Sequence, residues 1–202
     1  MDEYKQSNGI LDVRVDDRMV HGIVATQWIP SAKATRAMVV NKRASESTMT
    51  RQALKLGTPA GVHLSVLAPE KAIANIQNGN YENQRVFVVG RYIKDIYDLY
   101  KGGVKFARVN LGNVTQNIGK TTKLDKTVRV TDEELTQLKE MADAGIRITC
   151  QFRTDDPEKE AKLNIIDHLI QKSQKISLVS TLWYSKIVLP DIHFNCEVKV
   201  YV

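Results

Sequence analysis

What most constrains this chain is a rhythm. Six short runs rich in apolar and β-branched residues recur along it: GILDVRV (9–15), RAMVV (36–40), GVHLSVL (61–67), RVFVVG (85–90), VKFARVNLG (104–112) and IRITCQF (146–152). Their length and composition predict strands. The segments between and after them, 22–32, 47–57, 69–79, 93–103, 131–145 and 156–173, carry helical periodicity. Local chemistry marks the ends. Pro30 cuts the first helix short, Gly57 closes the second, Pro69 and Pro157 stand in first turns, and Thr131 with Glu134 forms a capping-box pattern. Strands alternating with helices require parallel crossovers. The expected fold is therefore α/β, an open, mostly parallel twisted sheet with helices on both faces in three layers.

Residues 174–202 break the rhythm with an apolar run, ISLVSTLWYSKIVLP (176–190), and an alternating one, HFNCEVKVYV (193–202). The expected organisation is one domain over 9–173 and a C-terminal extension, 174–202, packing on that domain or on a neighbouring subunit. An exposed strand there is an association hazard or an interface, which leaves a homo-oligomer open.

Composition narrows the function classes. The chain has 202 residues and is 43% hydrophobic, as globular proteins are. No apolar run approaches the roughly 20 residues of a membrane helix, and MDEYKQSNG at the start is unlike a secretory signal. Cys150 and Cys196 lie far apart without metal-ligand spacing, so a cytosolic location with reduced thiols is expected. The net charge of +6 suggests an anionic partner. Aromatic residues, at 6%, are not interleaved with the basic cluster Lys120, Lys123, Lys126 and Arg129, so the stacking surfaces of nucleic-acid binders are missing. Those cations form either a solvated loop or a basic face for an acidic protein.

Chemistry concentrates in VRVDDRMVHGIVATQW (13–28), where the first strand hands over to the first helix. Ligands of open α/β sheets collect beyond the carboxyl ends of the strands. His21 stands just before Gly22 at a helix start, where unpaired N–H groups and the dipole favour an anion. A neutral imidazole is a good nucleophile towards phosphorus and a good leaving group once phosphorylated. Gly22 and Ile23 offer backbone N–H groups and Arg18 a cation, while Asp17 could orient the ring or tie down Arg18. Phosphoryl transfer is largely positioning and charge stabilisation, so this short set suffices. The plainer reading is a capping or surface histidine. No second histidine and no Walker-type glycine motif lie nearby, which argues against a zinc site and nucleotide hydrolysis.

The stretch closely resembles the R-[IV]-D-[DE]-R-[LM]-[IV]-H-G-Q-V motif of mannose/fructose/sorbose-type EIIB components of the bacterial sugar phosphotransferase system. The resemblance extends over about residues 9–173 and includes RAMVVN, GGVKFARVNLGNV, GKTTKLDKTVRVTDEEL and GIRITCQFRTDDP. It implies that His21 is phosphorylated, through Nδ1, by a phosphohistidine on EIIA. The phosphoryl group then passes to a sugar entering through EIIC and EIID, of the mannose, fructose, sorbose or amino-sugar class. It implies no cofactor, no metal and no membrane insertion, and a cytoplasmic protein peripheral to its permease. Arg14, Asp16, Asp17 and Arg18 match the motif's charged positions. Arg18 is expected as the phosphate contact, Asp17 as its organiser and Arg14 as a support behind them. Ile23 departs from the family's glutamine, and the segment from about 174 has no counterpart in the pattern.

Asn110, Gly112 and Asn113, after the fifth strand, are expected to border the same pocket or to make a turn there. Arg91, Lys42 and Arg43 also follow strands, as pocket cations or ordinary loop cations. His63 is expected in the core or at a strand end, His168 on a helix surface and His193 in the tail, while Cys150 is expected to be buried strand material. The competing function is a non-catalytic α/β module that binds a phosphorylated metabolite or an acidic protein.

Overall fold

Strand β1, Ile10–Asp16, is buried along its whole length in the middle of a seven-stranded sheet. The computed structural model describes residues 8–115 and 122–163, all within the first of two units into which the chain divides, Met1–Leu163 and Asn164–Val202. The strands are β1, β2 (Arg36–Val40), β3 (His63–Leu67), β4 (Val86–Gly90), β5 (Arg108–Asn113), β8 (Arg147–Cys150) and β9 (Lys159–Glu160), in the order β3-β2-β4-β1-β5-β8-β9. All pairs are parallel except β8 with the short edge strand β9.

The connection after β1 leads towards β2 and that after β5 leads the opposite way, towards β8. Right-handed crossovers then put the helices on two faces. On one face lie α1 (a π-helical turn, Val24–Trp28, continuing into Ile29–Ser31), α2 (Lys42–Glu46) and α3 (Thr48–Gly57). Trp28, Ile29, Ala44 and Leu54 pack there with Ala37, Val39, Phe87 and Val89. The other helices, α4 (Pro69–Gln77), α5 (Ile93–Lys101) and α6 (Asp132–Asp143), pack α4 on α5 and α5 on α6. Their cores supply Ile93, Ile96, Leu99, Leu138 and Met141, all wholly buried.

The α/β expectation holds, with instructive differences. The first helix contains the π turn. Asn41 caps α2, a helix absent from the pattern, with its side chain accepting from the Ala44 N–H (3.0 Å), and Ser47 caps α3 in the same way. The polar stretch after β5 folds into an antiparallel hairpin, β6 (Thr122–Asp125) and β7 (Val128–Val130). The capping box at α6 is present: the Thr131 side chain accepts from the Glu134 N–H (3.1 Å) and Glu134 accepts from the Thr131 N–H (2.9 Å). A helix from 156 is contradicted at its start, because Lys159 and Glu160 pair with Cys150 and Thr149 as an edge strand. The remainder of that helix, His168, the extension from 174 with His193 and Cys196, and Lys120 lie outside the described residues. His63 opens an edge strand and is exposed, whereas Cys150 is buried, and burial pushes its thiol up to about 12.

Candidate functional site

The chain leaves β1 and β5 in opposite directions, and a crevice at such a switch point is where open α/β sheets hold ligands. The DDRMVH loop stands there. Its first bond clamps it to β5, with the Asp17 N–H donating to Asn113 O (2.8 Å), and the Met19 N–H closes a turn onto Asp16 O (2.9 Å). Met19 is buried with φ 59, a left-handed conformation uncommon outside glycine and characteristic of strained functional loops. Gly22 has φ 41 with open space where a Cβ would stand, so conformation is what favours glycine there. His21 lies between these two residues and is half-buried. Its carbonyl accepts from the Val24 N–H (3.0 Å), while its Nδ1 is covered by protein and lacks a hydrogen-bond partner. Ile23 is partly buried and its side chain packs against the α1-face core.

Below the loop, one side chain ties the elements together. Arg14 is wholly buried in β1, with its guanidinium 4.7 Å from the centre of the Trp28 ring. Nη1 donates to Asn110 Oδ1 (2.6 Å) and Gln151 O (2.9 Å), and Nη2 donates to Asp16 Oδ2 (3.0 Å) and Phe152 O (3.1 Å). Burial lowers the guanidinium pKa and the Asp16 charge opposes that shift. A buried charge costs several kcal/mol unless it is well paired, so these acceptors keep Arg14 in place. Gly112 is required by the same packing: an added Cβ would come within 1.9 Å of Arg14 Cζ.

Asp16 links this buried cation to the exposed one. Its Oδ1 accepts from the Arg18 N–H (3.2 Å) and lies 3.5 Å from Arg18 Nε. The guanidinium carbon of Arg18 lies 5.7 Å from the centre of the Phe152 ring. Arg18 is therefore held from two sides, and both supports hang from Arg14: Asp16 directly, and Phe152 through its carbonyl. Trp28 Nε1 donates to that same carbonyl (3.0 Å). Asp17 Oδ2 accepts from the Thr115 N–H (2.5 Å), which fastens the β5 side of the crevice.

The polar stripe continues away from the loop. Asp12 and Arg108 form a buried ion pair, and Arg108 Nη1 reaches Glu158 Oε1 at 2.5 Å, with Arg147 against the other Glu158 oxygen at 3.2 Å. Burial raises the Asp12 carboxyl despite Arg108. Glu158 is held below its ordinary range, because Arg108 and Arg147 outweigh the burial that would raise it. This network pins the segment leading into β9.

Several expectations change place. The carboxylate observed against Arg18 is that of Asp16, because alternation along β1 puts Asp16 on the same face as Arg14, whereas Asp17 turns to Thr115. Asn110 is wholly buried beneath the site as an Arg14 ligand, and of Asn113 it is the backbone carbonyl that meets the loop. Lys123, Lys126 and Arg129 are exposed on the β6–β7 hairpin, as are Lys42 and Arg43 on α2, while Arg91 is half-buried over Tyr92. Phe152, Gln151 and Thr115 were missed; apart from the resembling GIRITCQF stretch, no local signal marks them. Among the described residues, no cluster of His, Cys, Asp and Glu suits a metal, and no helix is long and apolar enough to cross a membrane.

The fold is thus an open α/β sheet with a half-buried histidine and a braced arginine at its switch point, groups whose chemistry suits an anion. The family model described as "PTS system sorbose subfamily IIB component" matches residues 10–177, and the chain belongs to that family. It is 29% identical over 147 residues to the sorbose-specific EIIB component of Lacticaseibacillus casei, covering 73% of this chain and 89% of that one. It is 32% identical over 162 residues to the mannose-specific EIIAB component of Escherichia coli K12, covering 80% of this chain and 48% of that longer protein. The crystal structure of the IIBSor domain of the sorbose permease from Klebsiella pneumoniae superposes with a TM-score of 0.71 at 28% identity, covering 80% and 96% of the two chains.

Proposed function

We propose that this chain is the phosphocarrier subunit of a sugar phosphotransferase permease, accepting a phosphoryl group from phospho-EIIA on His21 and passing it to a sugar during uptake. The relatives named for sorbose, mannose and N-acetylgalactosamine systems support the substrate class. The observation that carries the reading is His21 at the β1/β5 switch point, three residues after an arginine braced by Asp16 and Phe152.

In the first step a lone pair of the neutral His21 imidazole forms a P–N bond as the donor's P–N bond breaks; His21 sheds its ring proton and the departing donor imidazole takes one up. In the second, a sugar hydroxyl forms a P–O bond and gives up its proton as the His21 P–N bond breaks, and the departing His21 ring takes up a proton, which returns it to the neutral imidazole. Neither step needs a cofactor. Arg18 and the N–H groups of Gly22 and Ile23 receive the phosphoryl oxygens; the Val24 N–H is already spent on His21 O. Nδ1 is the covered nitrogen, so attack through it requires the ring to turn about its side-chain bonds, a motion a half-exposed loop residue makes rapidly. Working with EIIA and membrane EIIC and EIID components, the chain belongs in the cytoplasm at the permease.

Incubation with phosphoenolpyruvate, the general phosphocarriers and EIIA is expected to label the protein in an alkali-stable, acid-labile form, and His21→Ala is expected to abolish labelling. Normal labelling of that variant overturns the assignment. Retained anion binding by His21→Gln, with no relay from the wild type, favours the non-catalytic binding module.

A further inference from the structure

Among the described residues, the large apolar side chains that stand exposed are Met49, at 81%, and Leu56, at 89%. Both lie on α3, and with Ala53, also exposed, they occupy positions i, i+4 and i+7, which is one stripe of the helix. Leu54 on the opposite side supplies the buried anchor. The stripe ends at the catalytic loop. A Cβ on Gly57 would stand 3.0 Å from Val20 O, so the last turn of α3 lies against the residue that precedes His21.

The charge around the stripe is one-sided. Lys42, Arg43, Arg51 and Lys55 are exposed on α2 and α3, against the single acid Glu46. No ion pair among the described residues holds any of these four cations. On the other face Lys94 pairs with Asp98, Lys101 with Glu140 and Lys139 with Asp143, which leaves Lys71 of α4 as the exposed helix lysine there without an ion pair among the described residues. A second copy of the chain docked here through the same patch would bring like charges together.

We infer that the Met49–Ala53–Leu56 stripe and its unpaired cations form the docking face for the phosphoryl-donor protein, whose contact surface then carries an apolar hollow rimmed by acids. This rests on the phosphocarrier reading of His21. Charge favours the donor over the later acceptor. The donor arrives bearing an anionic phosphoryl group while His21 is bare, and transfer places that negative charge beside the cations, which weakens the attraction and promotes release.

The test compares wild type with Met49→Asp/Leu56→Asp, both exposed positions, using a phosphorylated EIIA protein of the sorbose or mannose class. The KM for the donor is expected to rise tenfold or more, kcat to stay within twofold, and labelling by phosphoramidate, which needs no docking, to be unchanged. Arg51→Glu/Lys55→Glu is expected to raise KM and to remove its dependence on salt. Wild-type relay with an unchanged KM in the Met49/Leu56 variant overturns the docking face alone. Failure of the wild type to accept phosphoryl from any donor protein overturns the phosphocarrier reading and this inference with it. An unchanged KM with loss of wild-type dimers, or of flotation with phosphatidylglycerol vesicles, assigns the stripe to a second copy or to a membrane and likewise overturns it.

Discussion

Strands β4 and β1 are neighbours in the sheet, equally buried, and built on opposite terms. β4 is Val-Phe-Val-Val-Gly and buries only apolar side chains, as the interior strand of a parallel sheet ordinarily does. β1 buries Asp12, Arg14 and Asp16 at alternate positions among Leu11, Val13 and Val15. Apolar burial needs only fitting volumes, whereas each β1 charge needs particular partners: Asp12 and Arg14 draw on β5 and the segment after β8, and Asp16 on Arg14 and Arg18. The β4 region shows how the fold is held together. The β1 region shows how a buried charge network reaches up to one exposed guanidinium and holds it.

This contrast can be broken most severely at Arg14. Arg14→Met leaves Asp16 without its buried cation and is expected to cost about 3–5 kcal/mol in urea unfolding, with relay through His21 lost even in the folded fraction. Gly112→Ala comes next, at about 3 kcal/mol, because its Cβ collides with the guanidinium. In an Arg14→Met background the same change is expected to cost under about 1 kcal/mol, since a double-mutant cycle reports shared contacts. Full additivity there would show that Gly112 does not serve Arg14. Val88→Ala, in the apolar strand, is expected to cost about 2 kcal/mol and to leave the relay rate per folded molecule unchanged. A relay defect in Val88→Ala would mean that the two strands are not separable in function. The smallest effect concerns pH. The Glu158 carboxyl is lowered in the folded protein, so its stabilisation stands above the ordinary glutamate value of about 4.3 and is lost as pH falls through the lowered one. Glu158→Gln is expected to flatten that acid limb of the stability curve, leaving His21 labelling intact at neutral pH.

Legibility followed the range of the interactions. The strands and long helices were readable because periodicity and capping act within a few residues, as Thr131 with Glu134 shows. The helix expected from 156 failed at its start because Glu158 is drawn to Arg108, 50 residues away, and the following residues pair with β8. The β6–β7 hairpin was missed because its strands are only four and three residues long, too short for a period to show. In the site, His21 and its charged neighbours stood out as a motif, but the assignment of Asp17 to Arg18 did not follow from adjacency. Asp16 shares a face with Arg14 because side chains alternate along a strand.

The amino-acid sequence by itself determined the alternating architecture, the position of the loop at a strand's carboxyl end and the presence of a histidine three residues after an arginine, since all three are encoded over short stretches. Tertiary structure alone decided which carboxylate meets Arg18, why residue 112 must lack a side chain and how Phe152, 138 residues from Arg14, comes to offer its carbonyl there. Asp16 apart, the groups that satisfy the buried Arg14 charge are ones that folding carries to it, and nothing local to β1 names them.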